Sequence, residues 1–311
     1  MVAAGDKLER IQAYGEAWQL FADAVLIRKP CALQEWMGED LSNTNLLVER
    51  RMRHTGSELR MARFLGVAAR NAAEVTASVE DRLVGLFARS FPEITVCNKE
   101  DRLASSRATR GASYERLAQF LGSDAESIAH SFRALRPPLD TLERIVRQRA
   151  TGDRPVIGLA WHSTNSRKLL PSLSDWAMLL RKLDAYYVSL QYDESRYGLH
   201  ELSALSGRAV ESSQGIDQLT DLDAFAAQVA SVDAVVTISN TTAHMAGALG
   251  VPCCVLLDNL QHLIWPKMGS TIPFYPETRL LRQEQREWAE VFDDAAVFLE
   301  GVEKRVRSHS F

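Results

Sequence analysis

Apolar residues recur along this chain at two different periods, and the switches between them divide it into elements. Ile11, Tyr14, Trp18, Phe21, Ala22 and Val25 fall three or four apart, which predicts an amphipathic helix over 8–27. After a polar passage interrupted by Pro30, the turn-prone residues 42–45 lead into a first strand at 46–48. A helix over 58–69, a strand at 75–79, a helix over 81–90 ended before Pro92 and a strand at 94–97 follow. Strands alternating with helices predict a parallel α/β sheet. Residues 99–113 break this rhythm: they are rich in Arg and Ser, weakly periodic, and read as a long surface loop.

Residues 114–149 are mainly helical around Pro137 and Pro138, and 151–155 read as a linker that places a domain boundary near Gly152. A second series then begins. Strands are expected at 156–161, 187–190, 235–238 and 253–257, with a short one at 279–281. Helices are expected over 174–183, 223–232 and 288–300, and an irregular stretch runs to Asp221. Between the strands at 235 and 253 lies a short helix, with a stop signal at Gly250 and Pro252 just beyond.

Length and composition narrow the class. A chain of 311 residues exceeds one ordinary domain, and 46% hydrophobic with 24% charged residues is a globular composition. No run approaches the roughly 18 apolar residues of a membrane helix, and no signal-peptide core follows Met1, so a cytoplasmic protein without a membrane span is expected. A net charge of −4 provides no global attraction to nucleic acid, and Arg51, Arg53, Arg60 and Arg63 read as a solvated helix face and loop. Cys31, Cys97, Cys253 and Cys254 lack metal-ligand spacing and are assigned to the core, with no zinc and no disulfide.

The chemistry concentrates in three loops that follow predicted parallel strands: 161–168, 190–193 and 240–244. Thr241 and Thr242 start the short helix, where backbone N–H groups without intrahelical partners and the helix dipole favour an anion. A capped helix with no ligand fits the same residues. Ser163, Asn165, Arg167, Lys168, Gln191, Asn240 and His244 complete the inventory, and Arg167 or Lys168 would neutralise phosphate oxygens that the amides do not reach. His244 also suits a structural hydrogen bond to the neighbouring loop. The sequence has no G-x-S-x-G, H-E-x-x-H, Walker or post-strand G-x-G-x-x-G motif, which disfavours α/β-hydrolase, P-loop and nicotinamide chemistry.

The stretch 237–252, Thr-Ile-Ser-Asn-Thr-Thr-Ala-His-Met-Ala-Gly-Ala-Leu-Gly-Val-Pro, resembles the signature of bacterial GT-B glycosyltransferases of the heptosyltransferase type. It also resembles the catalytic region of bacterial tetratricopeptide-repeat proteins similar to O-linked N-acetylglucosamine transferases. Gly158-Leu159-Ala160-Trp161 with Ser163, Asn165 and Arg167, then 188–191 and 273–276, extend the likeness, as do 38–42 and 81–92 in the first half. The first helix is similar to the last helix of a repeat region. This resemblance implies a short helical segment at 1–40, an acceptor-side Rossmann-like domain at 41–152 and a nucleotide-sugar-binding one at 153–311, with parallel sheets facing across a cleft. Donor binding would fall to Asn240, Thr241, Thr242, His244, Ser163, Asn165, Arg167, Lys168 and Gln191, with Gln191 near the nucleoside.

The expected activity is transfer of a sugar from a nucleotide-diphosphate sugar to a protein or glycan acceptor, with inversion, no metal and no cofactor beyond that co-substrate. Departures from the pattern qualify it. The first loop of the family commonly reads Gly-x-Gly-Asp-Glu, and here 54–58 reads His-Thr-Gly-Ser-Glu, so Ser57 replaces the acid; Glu58 or His54 becomes the substitute base. Asn240 stands where Asp is common, and 259–265 is altered. Two alternatives follow. One is a catalytically degenerate GT-B scaffold that binds a protein partner in a modification or secretion complex, a reading to which the Arg-rich 102–110 loop also contributes. The other is a GT-B nucleotide-sugar epimerase.

Overall fold

The computed structural model describes residues 1–28, 33–51, 54–101, 107–212, 215–259 and 264–308. The chain divides into two compact units, Met1–Arg136 with Leu263–Pro276, and Pro137–His262 with Glu277–Phe311. Among the described residues no helix is long and apolar enough to cross a membrane.

The first unit opens with helices α1 (Val2–Arg10) and α2 (Tyr14–Arg28). The single helix expected over 8–27 is thus two, because Gln12 takes a left-handed φ of 63° and the Ala13 N–H turns back onto the Leu8 carbonyl. The break lets α2 bury Tyr14 and Trp18 against Phe274, and the Trp18 indole donates to the Gly122 carbonyl at 3.1 Å. Then come β1 (Asn45–Glu49), α3 (Thr55–Met61), α4 (Arg63–Asn71), β2 (Glu74–Ser78), α5 (Val84–Ser90), β3 (Thr95–Cys97), β4 (Arg110–Ser113), α6 (Tyr114–Leu121) and α7 (Ala125–His130). The strands form a parallel sheet in the order β3-β2-β1-β4.

Strand β4 corrects the expectation of a loop through 99–113, of which 102–106 lie outside the described residues. Its sequence, Arg-Gly-Ala-Ser, has no β-branched residue. Pairing to β1 on one side and a bridge from Glu35 to Gly111 on the other make it a strand, and Ala112 and Ser113 are fully buried. The arginines 51, 60 and 63 also depart from the solvated face expected of them. All three are buried: Arg51 pairs with Glu49 at 2.7 Å, Arg60 with Glu9, and Arg63 donates to the carbonyls of Arg60 and Phe274 while lying over the Phe274 and Tyr275 rings. Arg53 and Cys31 lie outside the described residues.

The second unit contains α8 (Leu139–Gln148), β5 (Val156–Ala160), α9 (Leu173–Lys182), β6 (Tyr186–Ser189), α10 (Leu199–Ser206), β7 (Val210–Glu211), α11 (Leu222–Ala230), β8 (Ala234–Ile238), α12 (Thr241–Leu249), β9 (Cys253–Leu257), β10 (Thr278–Arg282) and α13 (Trp288–Ser308). Helix α10 and strand β7 occupy the stretch expected to be irregular; Gly198 and Gly207, both at positive φ, bound the helix, and Leu199 and Leu202 anchor it. Six parallel strands run in the order β10-β9-β8-β5-β6-β7, which is the doubly wound Rossmann arrangement 3-2-1-4-5-6 read from the other edge. Both sheets are parallel and helix-covered, as the alternating pattern predicts.

Continuous burial along β8 and β9 explains their unbroken apolar sequence. Val236, Ile238, Cys254 and Leu256 join Trp176 of α9 and Phe292 of α13 in one core, the two rings 5.1 Å apart. The alternate residues Val235, Thr237, Cys253 and Val255 are equally buried on the other face, where α12 packs on β8 and β9. Gly158, central in β5, sits so close to its neighbours that a Cβ would come 2.4 Å from Leu190 Cδ1 and 3.3 Å from Val232. Replacement Gly158→Val is expected to cost about 1–3 kcal/mol by overpacking, read as a lower urea midpoint at unchanged slope.

Candidate functional site

In a doubly wound sheet the strand order reverses at one point, and consecutive helices leave there on opposite faces, opening a crevice at the carboxyl ends of the strands. In the second unit this point lies between β5 and β8. The loop 161–168 leaves β5, and Ser239 and Asn240 lead from β8 into α12. Thr237 ties the two strands together, its hydroxyl lying 3.0 Å from the Ala160 carbonyl and 3.1 Å from Asn240 Oδ1. Asn240 caps α12 by accepting from the Ala243 N–H at 3.2 Å. Gly250 closes the helix in the left-handed conformation with φ 76°, where its stop was expected.

Lys168 is half-buried beside this cap. Its ammonium donates to Ser163 Oγ at 3.2 Å and to the Ser239 carbonyl, so among the described residues two of its three hydrogens are engaged and one remains. Burial holds its pKa below the ordinary lysine value, and the carboxylate of Asp258 opposes that shift. The loop is folded on itself: the Asn165 N–H donates to Ser163 Oγ at 3.3 Å, the Arg167 N–H to Asn165 Oδ1 at 3.1 Å, and the Lys168 N–H to the Asn165 carbonyl at 3.1 Å. Ser163, Asn165 and Lys168 are thereby brought together, and Lys168 reaches the residue preceding Asn240. Arg167 and Thr241 are exposed, whereas Thr242 and His244 are buried within α12.

Gln191, implied to lie near a nucleoside, is held by the loop around it. It is fully buried, and its Oε1 accepts from the N–H groups of Trp161 at 3.1 Å and His162 at 2.8 Å, while Nε2 donates to the Tyr192 carbonyl at 2.9 Å. It therefore fixes the path of the β5 loop from beneath. Above it, His162 stacks on Tyr197 with ring centroids 3.8 Å apart, and Tyr192 meets Tyr197 edge-on at 5.7 Å. Burial, then the nearby Arg196, depresses the His162 pKa.

The remaining pair lies in the first unit, one turn apart at the start of α3. His54 is exposed. Glu58 is fully buried, with Oε2 accepting from Arg50 Nε at 2.6 Å and Oε1 from the Glu80 N–H at 2.8 Å; burial raises its pKa, and the Arg50 hydrogen bond opposes this. Thr55 donates to Glu80 at 2.7 Å, extending the network. Of the altered segment 259–265, residues 260–263 lie outside the described residues. Among the described residues no group of three His, Cys, Asp or Glu is placed to hold a metal ion.

Sequence reasoning passed over Thr237, Ser239 and Asp258. All three lie on β8 or just beyond the carboxyl ends of β8 and β9, and a polar residue ending a buried strand was the signal available for each.

No family model matches the chain. It is 27% identical over 302 residues to Protein FlbA of Caulobacter vibrioides, taking in 87% of this chain and 50% of that protein, so the chain spans about half the length of this curated relative. Among solved structures, the glycosyl transferase family 9 protein of Veillonella parvula matches with a TM-score of 0.63 at 11% identity, over 86% of this chain and 99% of that one. The ADP-heptose lipopolysaccharide heptosyltransferase II of Escherichia coli matches at 0.60 and 13%, over 85% and 100%. Heptosyltransferase WaaC of E. coli, solved with ADP, matches at 0.53 and 14%, over 83% and 99%. The chain has the GT-B fold of the heptosyltransferases. The likeness to tetratricopeptide-repeat transferases has no counterpart among these proteins.

Two backbone N–H groups depend on one buried amide oxygen at Gln191. The variant Gln191→Leu is expected to lose about 1–3 kcal/mol of stability in urea unfolding, whereas a surface variant such as Arg167→Gln stays within about 0.5 kcal/mol.

Proposed function

We propose that this chain is a glycosyltransferase that takes a sugar from a nucleotide-diphosphate donor and passes it to a protein or glycan acceptor. The observation that carries the reading is the convergence, at the strand-order reversal of the second unit, of the α12 N-terminus with a lysine that keeps one ammonium hydrogen uncommitted. A diphosphate there would meet the backbone N–H groups of Thr241 and Thr242, the positive end of the helix dipole and the Lys168 charge. Those three neutralise the leaving group when the glycosidic bond breaks, which is the larger electrostatic demand in sugar transfer without a metal. The GT-B fold shared with nucleotide-sugar-dependent heptosyltransferases supports this.

In this reading the second unit, expected at 153–311 but beginning at Pro137 and leaving Leu263–Pro276 to the first, forms the donor side; the first unit, expected at 41–152, forms the acceptor side, with 1–40 as a helical preface. Ser163 and Asn165 shape the loop that presents Lys168, Asn240 sets the helix start, His244 steadies its first turn, and Arg167 adds exposed countercharge. On the acceptor side His54 or Glu58 removes the acceptor proton. Burial moves Glu58 in the direction a general base requires, and His54 is the more accessible of the two. Inversion without a metal, and a location in the cytoplasm, complete the proposal.

One observation favours a second reading. Both oxygens of Glu58 are engaged, and Ser57 offers no carboxylate. A degenerate scaffold serving a protein partner in a modification or secretion complex would keep the nucleotide site and lose transfer. The readings part on whether a bound nucleotide sugar turns over.

Titration calorimetry with ADP, UDP, GDP and CDP is expected to find one nucleotide that binds, and Lys168→Ala to weaken it about 10- to 100-fold, the value of one charge-assisted hydrogen bond. Failure of all four to bind would remove the donor site. With the matching nucleotide sugar, His54→Asn or Glu58→Gln is expected to lower kcat by about 100-fold or more while the nucleotide Kd stays put; unchanged kcat in both variants would exclude them as the base.

A further inference from the structure

Asp258 directly follows β9, one strand beyond the reversal point, and is buried. Its Oδ2 accepts from the Leu169 N–H at 2.6 Å, so it grips the loop one residue past Lys168. It shares with the lysine the lining of a cavity of about 10 Å³, room for one water, to which Ser239, Ile238, Leu256 and Trp288 also contribute. Apart from the lysine and the aspartate these walls carry no charge: β8 contributes Ile238 and leads into Ser239, α13 contributes Trp288, and the loop itself contributes Leu169, Leu170 and Pro171. Lys168 and Asp258 are therefore the two charged residues that line this small, largely apolar cavity.

We infer that Asp258 is a positioning residue for Lys168: its backbone contact sets where the lysine stands, and its charge keeps the ammonium protonated at the proposed diphosphate site. The inference rests on the donor-binding reading above. The physical need for it is plain. Half-burial works against a charged lysine, and both hydrogen-bond partners of Lys168, a hydroxyl and a carbonyl, are neutral. Without the opposing carboxylate the lysine would shed its proton at a lower pH, and a neutral lysine brings no charge to a diphosphate. Asp258 supplies the opposing field while its Oδ2 accepts from the Leu169 N–H, and the ammonium's hydrogen bonds among the described residues go to Ser163 and Ser239.

The substitution Asp258→Asn separates the two roles, since an amide oxygen can still accept from the Leu169 N–H while the charge is gone. In the full chain without ligand, acylation of Lys168 by acetic anhydride, followed across pH by mass spectrometry, reads the protonation of that lysine alone. The midpoint is expected to fall by about one pH unit in Asp258→Asn and to return in Asp258→Glu. Binding of inorganic pyrophosphate is expected to follow: close to wild type at pH 7, then lost on the alkaline side about one unit earlier, because a lysine whose pKa drops sheds its proton at lower pH. An Asp258→Asn protein with a wild-type urea midpoint and an unmoved Lys168 labelling curve overturns the inference. A moved labelling curve in a protein that binds no pyrophosphate at any pH would leave Asp258 as the holder of Lys168 and sink the donor reading instead.

Discussion

The reversal of strand order between β5 and β8 is the constraint on which the second unit depends. At this junction the connections leave on opposite faces, and the buried ends of the two strands are met by the loops that follow them. Thr237 bridges the strands, Asn240 caps the departing helix, and Gln191 clamps the departing loop through two backbone N–H groups. Each of these hydrogen bonds is local and structural. Together they hold a helix N-terminus and a lysine at the same strand ends, which is the chemistry of an anion site.

The first unit solves the same topological problem with a different economy. Its reversal lies between β1 and β4, and around the ends of these strands are ion pairs with at least one buried partner: Arg50 with Glu58, Arg51 with Glu49 and Glu35, Arg116 with Asp23. Pairing of this kind offsets a desolvation cost of several kcal/mol per ion and leaves little net stability, yet removing one partner is strongly destabilising. The arrangement is therefore rigid, and Glu58 is part of it. A carboxylate so engaged must exchange a partner before it can take a proton, whereas His54, one turn earlier, is exposed.

Most of the architecture is legible in the sequence, because strands buried on both faces read as unbroken apolar runs and amphipathic helices show their period. The stretch around α12 is the clearest case: Asn240 as cap and Gly250 as stop both take the conformations their chemistry favours. Strand β4 was illegible because nothing in Arg-Gly-Ala-Ser prefers an extended backbone; its neighbours on both sides impose it. The arginines at 51, 60 and 63 misled for a related reason, since their partners Glu9, Glu35, Glu49 and the Phe274 carbonyl are mostly distant in sequence. At the site, the loops were legible as loops but the division of labour within them was not. Gln191 also clamps two backbone N–H groups, and Asp258, just past the strand expected at 253–257, lines a cavity with the lysine. Polar side chains at strand ends have no pattern that separates those that hold the site from those that would touch a ligand.

The central claim is that a nucleoside diphosphate binds at this reversal point and uses the α12 N-terminus. Amide hydrogen exchange of the full chain with and without ADP, UDP, GDP or CDP tests it most directly. The nucleotide that binds is expected to slow exchange in 161–168 and 239–244 and to leave β4 and α6 unchanged. Protection confined to the first unit, or none at 239–244 under a nucleotide that demonstrably binds, would contradict it.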